Sequence, residues 1–157
     1  MTRKRRLLGN KEITLSEAKE QELNILHQLG YYEQQLQFFT YLRDREDWMK
    51  DIVAHHLGLR SSDACHVAEE GSWLHGSFNV CIPITIDCWN HKRVLLRFPL
   101  PYRIGEAIRP GNGDEKIRCE AGTYAWLQEY CPDIPIPHLY GFAISTGEAV
   151  GRRTPDI

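Results

Sequence analysis

The 157-residue sequence contains no apolar run near the roughly 18 residues that a membrane-spanning helix needs. Its charge has no dominant sign. Nineteen Lys and Arg stand against 21 Asp and Glu, a formal balance of −2 at pH 7, so no global field draws the chain to nucleic acid or an anionic surface. The basic start, Arg3-Lys4-Arg5-Arg6, lacks the apolar stretch of a secretory signal. It reads as a solvated arm rather than as a nuclear import or nucleic-acid-binding element. The cysteines are scattered (Cys65, Cys81, Cys88, Cys119 and Cys131), an odd set that points to reduced thiols in the cytoplasm. Two groups could suggest a metal: His55, His56, Cys65 and His66, or Cys81, Cys88 and His91. Neither has a Cys-x-x-Cys or His-x-x-x-His pair, and Cys81 and Cys88 are expected on opposite faces of one strand. Repeats and low-complexity tracts are absent too.

What is present is ordinary globular composition, 42% hydrophobic and 25% charged, in a chain long enough to bury a core. Four zones are expected: a basic flexible arm over 1–13, a helical extension over 14–60, a sheet-and-helix region over 65–147 and a polar tail over 148–157. Thr14 and Glu17 have the spacing of a capping box. Leu15, Ala18, Leu23, Ile25, Leu26 and Leu29 continue a helical period up to Gly30, which is expected to close that helix as a left-handed glycine. Leu36, Phe39, Tyr41, Leu42, Trp48, Met49, Ile52 and Val53 carry a second helical run to near Gly58, with the alternating charges 43–47 on a solvated face, so the zone reads as a helical hairpin or as one long interrupted helix.

In the third zone Val80, Ile82, Ile84, Ile86 and Cys88 alternate with Cys81, Pro83, Thr85 and Asp87, the period of a strand. Pro83 has no N–H for a ladder, so the strand is expected at a sheet edge. His66–Leu74 is a weaker strand candidate. Trp89–Lys92 reads as a turn into a strand over Arg93–Phe98. A helix is expected from Asp114, as N-cap, to about Tyr130, then an extended proline-rich link and a short strand over Leu139–Ile144. Trp73, Trp89, Trp126 and Tyr140 are expected in packing.

Two features carry chemistry. Gly76-Ser77-Phe78-Asn79 lies between two expected strands, where backbone N–H groups and the Ser77 hydroxyl could hold phosphate oxygens; an ordinary hairpin turn reads equally well. Glu120 falls beside the apolar stripe of its helix, where a carboxylate needs a partner, and Arg97 is the natural one. That pair reads either as a structural ion pair or as part of a phosphate site.

The ordered set Gly76-Ser77-Phe78-Asn79, Val94-Leu95-Leu96-Arg97-Phe98-Pro99, Glu115-Lys116-Ile117-Arg118-Cys119-Glu120-Ala121 and Pro135-Ile136-Pro137-His138-Leu139-Tyr140-Gly141 resembles the aminoglycoside phosphotransferase family, in its filamentous-fungal branch. The resemblance implies an α+β, protein-kinase-like N-terminal lobe, an antiparallel sheet plus helix C, preceded here by the helical extension. It implies ATP with Mg2+ and transfer of the γ-phosphate to a small hydroxyl-bearing substrate. Gly76, Ser77, Phe78 and Asn79 would cover the phosphates, Arg97 would stand where the family has lysine, and Glu120 would be the helix-C acid. The second strand is an edge in that lobe, which agrees with Pro83. The family's His-Gly-Asp catalytic loop and metal-binding Asp do not occur in the sequence, and no G-x-G-x-x-G is present. The C-lobe and the strand that would pair with Leu139–Ile144 are missing as well. The expectation is therefore a catalytically incomplete member; the alternative is a binding or scaffold module that takes a protein partner at its exposed sheet edge.

Overall fold

The computed structural model describes residues 3–21, 25–90, 92–147 and 149–151, and it divides into two compact units with the boundary between Asp44 and Arg45. Leu23, His91, Glu148 and the residues from 152 onward, on which parts of the sequence reading fall, lie outside the described residues.

In the first unit the basic stretch is part of a hairpin. β1 (Lys4–Arg6) pairs antiparallel with β2 (Glu12–Thr14), with Arg5 opposite Ile13. The turn is made by Gly9 and Asn10, both at left-handed φ (72° and 57°). Lys4 pairs with Glu12 at 3.2 Å, and Arg6 donates to the Tyr32 hydroxyl at 3.1 Å. Thr14 and Glu17 do form the capping box, which starts α1 (Leu15–Lys19). The expected long helix stops there. After α1 come α2 (Ile25–Leu29) and α3 (Tyr31–Arg43) as separate pieces. Neither α1 nor α2 buries a residue, so no packed stripe repays the cost of holding the turns in register. Gly30 is not a left-handed terminator: at φ −86° it precedes α3 as its N-cap.

The second unit opens with α4 (Glu46–Leu57), ended by Gly58 at φ 66°, as its position predicts. The weak strand over 66–74 resolves into β3 (Cys65–Val67) and β4 (Leu74–His75), separated by a 3₁₀ turn over Glu70–Ser72. Buried Trp73 closes this connection by donating its indole N–H to the Ala68 carbonyl at 2.8 Å. β5 (Asn79–Ile86) and β6 (Lys92–Pro99) form the long antiparallel pair, joined through a 3₁₀ turn over Asp87–Trp89 and left-handed Asn90. Cys88 belongs to that turn, so it does not share a strand with Cys81.

β5 is central, which corrects the edge expected from Pro83 and from the resemblance. It pairs with β6 on one side and with β3 and then β4 on the other. Proline is accommodated because the β3 ladder ends at Val67–Ile84 and the β4 ladder begins at Leu74–Cys81, leaving the proline nitrogen at the gap. The Pro83 carbonyl on that side still accepts from the Ala68 N–H at 2.9 Å. Val80, Ile82, Ile84 and Ile86 are fully buried on one face. In register with them across β6 are Phe98, Leu96, Val94 and Lys92. α4 lies against β3, its Met49, Val53 and Leu57 are buried, and its Trp48 stacks on Phe98.

After β6 a short α5 (Pro101–Ile104) leads into α6 (Asn112–Tyr130). α6 starts two residues before the expected Asp114 because a distant side chain supplies its cap. The Glu106 carboxylate accepts from the N–H groups of Gly111 (2.6 Å) and Gly113 (2.7 Å). Asp114 instead accepts from the Ser145 N–H (2.8 Å) and hydroxyl (2.6 Å), bonds that hold its carboxyl below the usual range. Of the four aromatics expected in packing, Trp126 is exposed. The last elements are β7 (Gly141–Ala143) and β8 (Ala149–Gly151), an antiparallel hairpin apart from the four-stranded sheet. β7 thus has the partner strand that the sequence reading lacks. No described helix is long and apolar enough to cross a membrane.

Candidate functional site

Strand alternation sends Cys81, Pro83 and Thr85 of β5 to the face opposite the isoleucine row. The register sets Leu74, Cys81 and Arg97 side by side across three strands, with Pro83 opposite Leu95 in the next row. Leu74 and Leu95 are each 55% exposed, so this face joins accessible apolar surface to a cation.

The structure brings Arg97 and Glu120 together. The guanidinium donates from Nη2 to Glu120 Oε1 at 3.3 Å, linking β6 to α6. Lys116, one turn earlier on α6, binds the same oxygen through Nζ. Buried Asn79 completes the group. In the orientation that satisfies both ends of its amide, Oδ1 accepts from Arg97 Nη2 (2.6 Å) and Nε (3.2 Å), and Nδ2 donates to the Phe78 carbonyl (3.2 Å). The side chains of Arg97, Glu120 and Lys116 keep 41%, 31% and 23% of their surface, so the cluster is open to solvent. At such exposure an ion pair contributes only about 0.2–1 kcal/mol to folding. Burial pushes the neighbouring Cys81 thiol up, while the Arg97 charge draws it down and Glu120 raises it further.

The Gly76–Phe78 loop is joined to this cluster through Asn79 and is fastened from another direction. Gly76 N–H donates to the Asn79 carbonyl at 2.8 Å, closing the β4–β5 turn. That donor is thus engaged within the hairpin instead of offered to a phosphate. A Cβ at Gly76 would make only ordinary contact, 3.4 Å from the Asn79 carbonyl, so close approach does not demand glycine here. Arg103 of α5 donates from Nε to the Ser77 carbonyl at 2.8 Å and sits 5.8 Å over the Phe78 ring. Ser77 and Phe78 are exposed.

Of the sequence-derived residues, Asn79, Arg97 and Glu120 converge, and Gly76, Ser77 and Phe78 lie on the adjoining turn. Two cations were not assigned from sequence. Lys116 had a usable signal, since a lysine four residues before Glu120 shares its helix face. Arg103 had none, because its partner is a carbonyl 26 residues away. Among the described residues no group of three or more His, Cys, Asp or Glu side chains converges as a metal site. Compared with family models, curated proteins and solved structures, the chain finds no match.

Proposed function

We propose that the Arg97-bearing face of the β5–β6 pair binds the polyphosphate of a nucleotide, as the N-lobe part of an ATP-dependent phosphotransferase acting on a small hydroxyl-bearing substrate. The observation that carries this reading is the Arg97 guanidinium on a strand meeting the Glu120 carboxylate on the covering helix. Arginine presents a planar fork suited to phosphate oxygens. Leu74 and Leu95, exposed on the same face, supply apolar surface for a base. Asn79 holds the guanidinium from behind and ties it to the turn that would cover the phosphates. Magnesium, which the resemblance implies, has no converging set of side chains among the described residues. This face covers the nucleotide, and no described residue carries out phosphoryl transfer.

Thermal unfolding of the full chain with magnesium-ATP tests it. ATP should raise the midpoint by mass action, ADP less, and Arg97→Ala should remove the shift. An absent shift, or one that Arg97→Ala leaves intact, refutes the reading.

A second reading has its own observation. Among the described residues β6 has a ladder partner on one side only, along an eight-residue strand. Such an edge can take a strand from a protein partner. Concentration-dependent association that a proline at Leu95 abolishes, without any response to nucleotide, favours that module.

A further inference from the structure

We infer that Lys116 is a positioning residue for the anion: it takes over the neutralisation of Glu120 so that Arg97 can be given to phosphate. The inference rests on the nucleotide reading above and names a part of that site which the reading does not need. Arg97 and Lys116 meet the same carboxylate oxygen, Oε1 of Glu120. Two cations and one carboxylate leave one net positive charge. Arg97 and Glu120 alone would leave none, and a phosphate approaching the guanidinium would meet a carboxylate that loses its only partner.

The two contacts differ in kind. Lys116 and Glu120 lie four residues apart on α6, so their contact is made within one helix and survives any shift of helix against sheet. Arg97 reaches Glu120 from another element at 3.3 Å, and it is the most exposed of the three side chains. Asn79 gives the guanidinium a neutral acceptor on its own strand pair, at 2.6 Å from Nη2. When Arg97 turns from Glu120 toward a phosphate, Asn79 keeps it in place and Lys116 keeps the carboxylate paired. The positive charge is thereby available to the ligand without an unpaired acid left behind.

The test is calorimetric titration of the full chain with ATP and with inorganic tripolyphosphate, the unliganded thermal midpoint of each variant serving as the folding control. Lys116→Met should weaken both ligands at least about tenfold, because Arg97 then stays with Glu120 and its charge-assisted hydrogen bond to phosphate is lost. Lys116→Arg should restore wild-type affinity. Glu120→Gln should bind at least as tightly as wild type, since it removes the competing carboxylate. The decisive variant combines Lys116→Met with Glu120→Gln. With no acid left to neutralise, its affinity should return to within about twofold of wild type, the scatter allowed for coupled sites. A double variant as weak as Lys116→Met overturns the inference, because Lys116 would then act directly on the ligand. Wild-type affinity in Lys116→Met, with binding lost in Arg97→Ala, overturns it while the nucleotide reading stands. Failure of the wild type to bind either ligand overturns both.

Discussion

Gly141 offers a perturbation whose size can be worked from the packing. A Cβ built there would lie 2.6 Å from Cε1 and 3.0 Å from Cγ of the His56 ring, with Nδ1 nearer still. Contacts this short are not tolerated, and Cγ is the root of the ring, so rotating the imidazole in place does not clear the methyl. Either the whole His56 side chain swings to another rotamer, or α4 or β7 moves. The backbone itself does not object, because Gly141 is not among the glycines at left-handed φ. One surplus methyl in a packed contact costs about 1–3 kcal/mol, and stiffening the unfolded chain by Gly→Ala returns about 0.4–1 kcal/mol. The expected net loss for Gly141→Ala is therefore between about 0 and about 2.6 kcal/mol, centred on about 1.3 kcal/mol. With a urea slope of about 1–3 kcal/mol per molar, a loss of about 1.3 kcal/mol should lower the midpoint by about 0.4–1.3 M. Urea unfolding followed by far-UV circular dichroism measures it. The same substitution in a His56→Ala background should be neutral or slightly stabilising, since the obstructing ring is gone. Equal losses in the two backgrounds would refute the contact as the cause, and no loss in either would refute the close approach itself.

Three other outcomes follow from single residues. Burial, with the neighbouring His55 charge adding to it, lowers the His56 pKa below its ordinary 6.5. The unfolded chain then binds the proton more readily, so stability should be complete above pH 6.5 and decline as pH falls toward the folded value. His56→Gln should flatten that part of a stability-versus-pH series, and an unchanged slope would assign it elsewhere. Gly58 ends α4 at φ 66°, where a Cβ costs about 1–2 kcal/mol, so Gly58→Ala should lower the urea midpoint while Gly58→Asn should lower it less. Ile84 is fully buried in the central strand, and Ile84→Ala should cost about 2–5 kcal/mol in the same assay. A cost under about 1 kcal/mol would mean that this row is not the core.

The elements legible in the sequence are those decided by neighbours a few residues apart. Thr14 and Glu17 needed only the spacing of a capping box. Gly58 needed only its place after a helical run. The alternation from Val80 to Cys88 and over Arg93–Phe98 showed both strands, the first running two residues past its actual end at Ile86, and put Arg97 on the face away from the isoleucines. The partner Glu120 was legible as well, because an acid beside an apolar stripe has to be matched by something.

Tertiary structure decided what no fixed spacing encodes. Pro83 forbids one hydrogen bond, but whether that makes an edge depends on where the facing ladders stop, and here β3 and β4 stop on either side of it. The start of α6 followed Glu106, five and seven residues from the N–H groups it caps, and not the local preference of Asp114. Lys116 could be placed on the face of Glu120 from spacing, yet only the fold showed both cations on one oxygen. Local geometry repeats with a fixed period, so a sequence displays it; a contact between separate elements has no period and becomes visible only when the chain is folded.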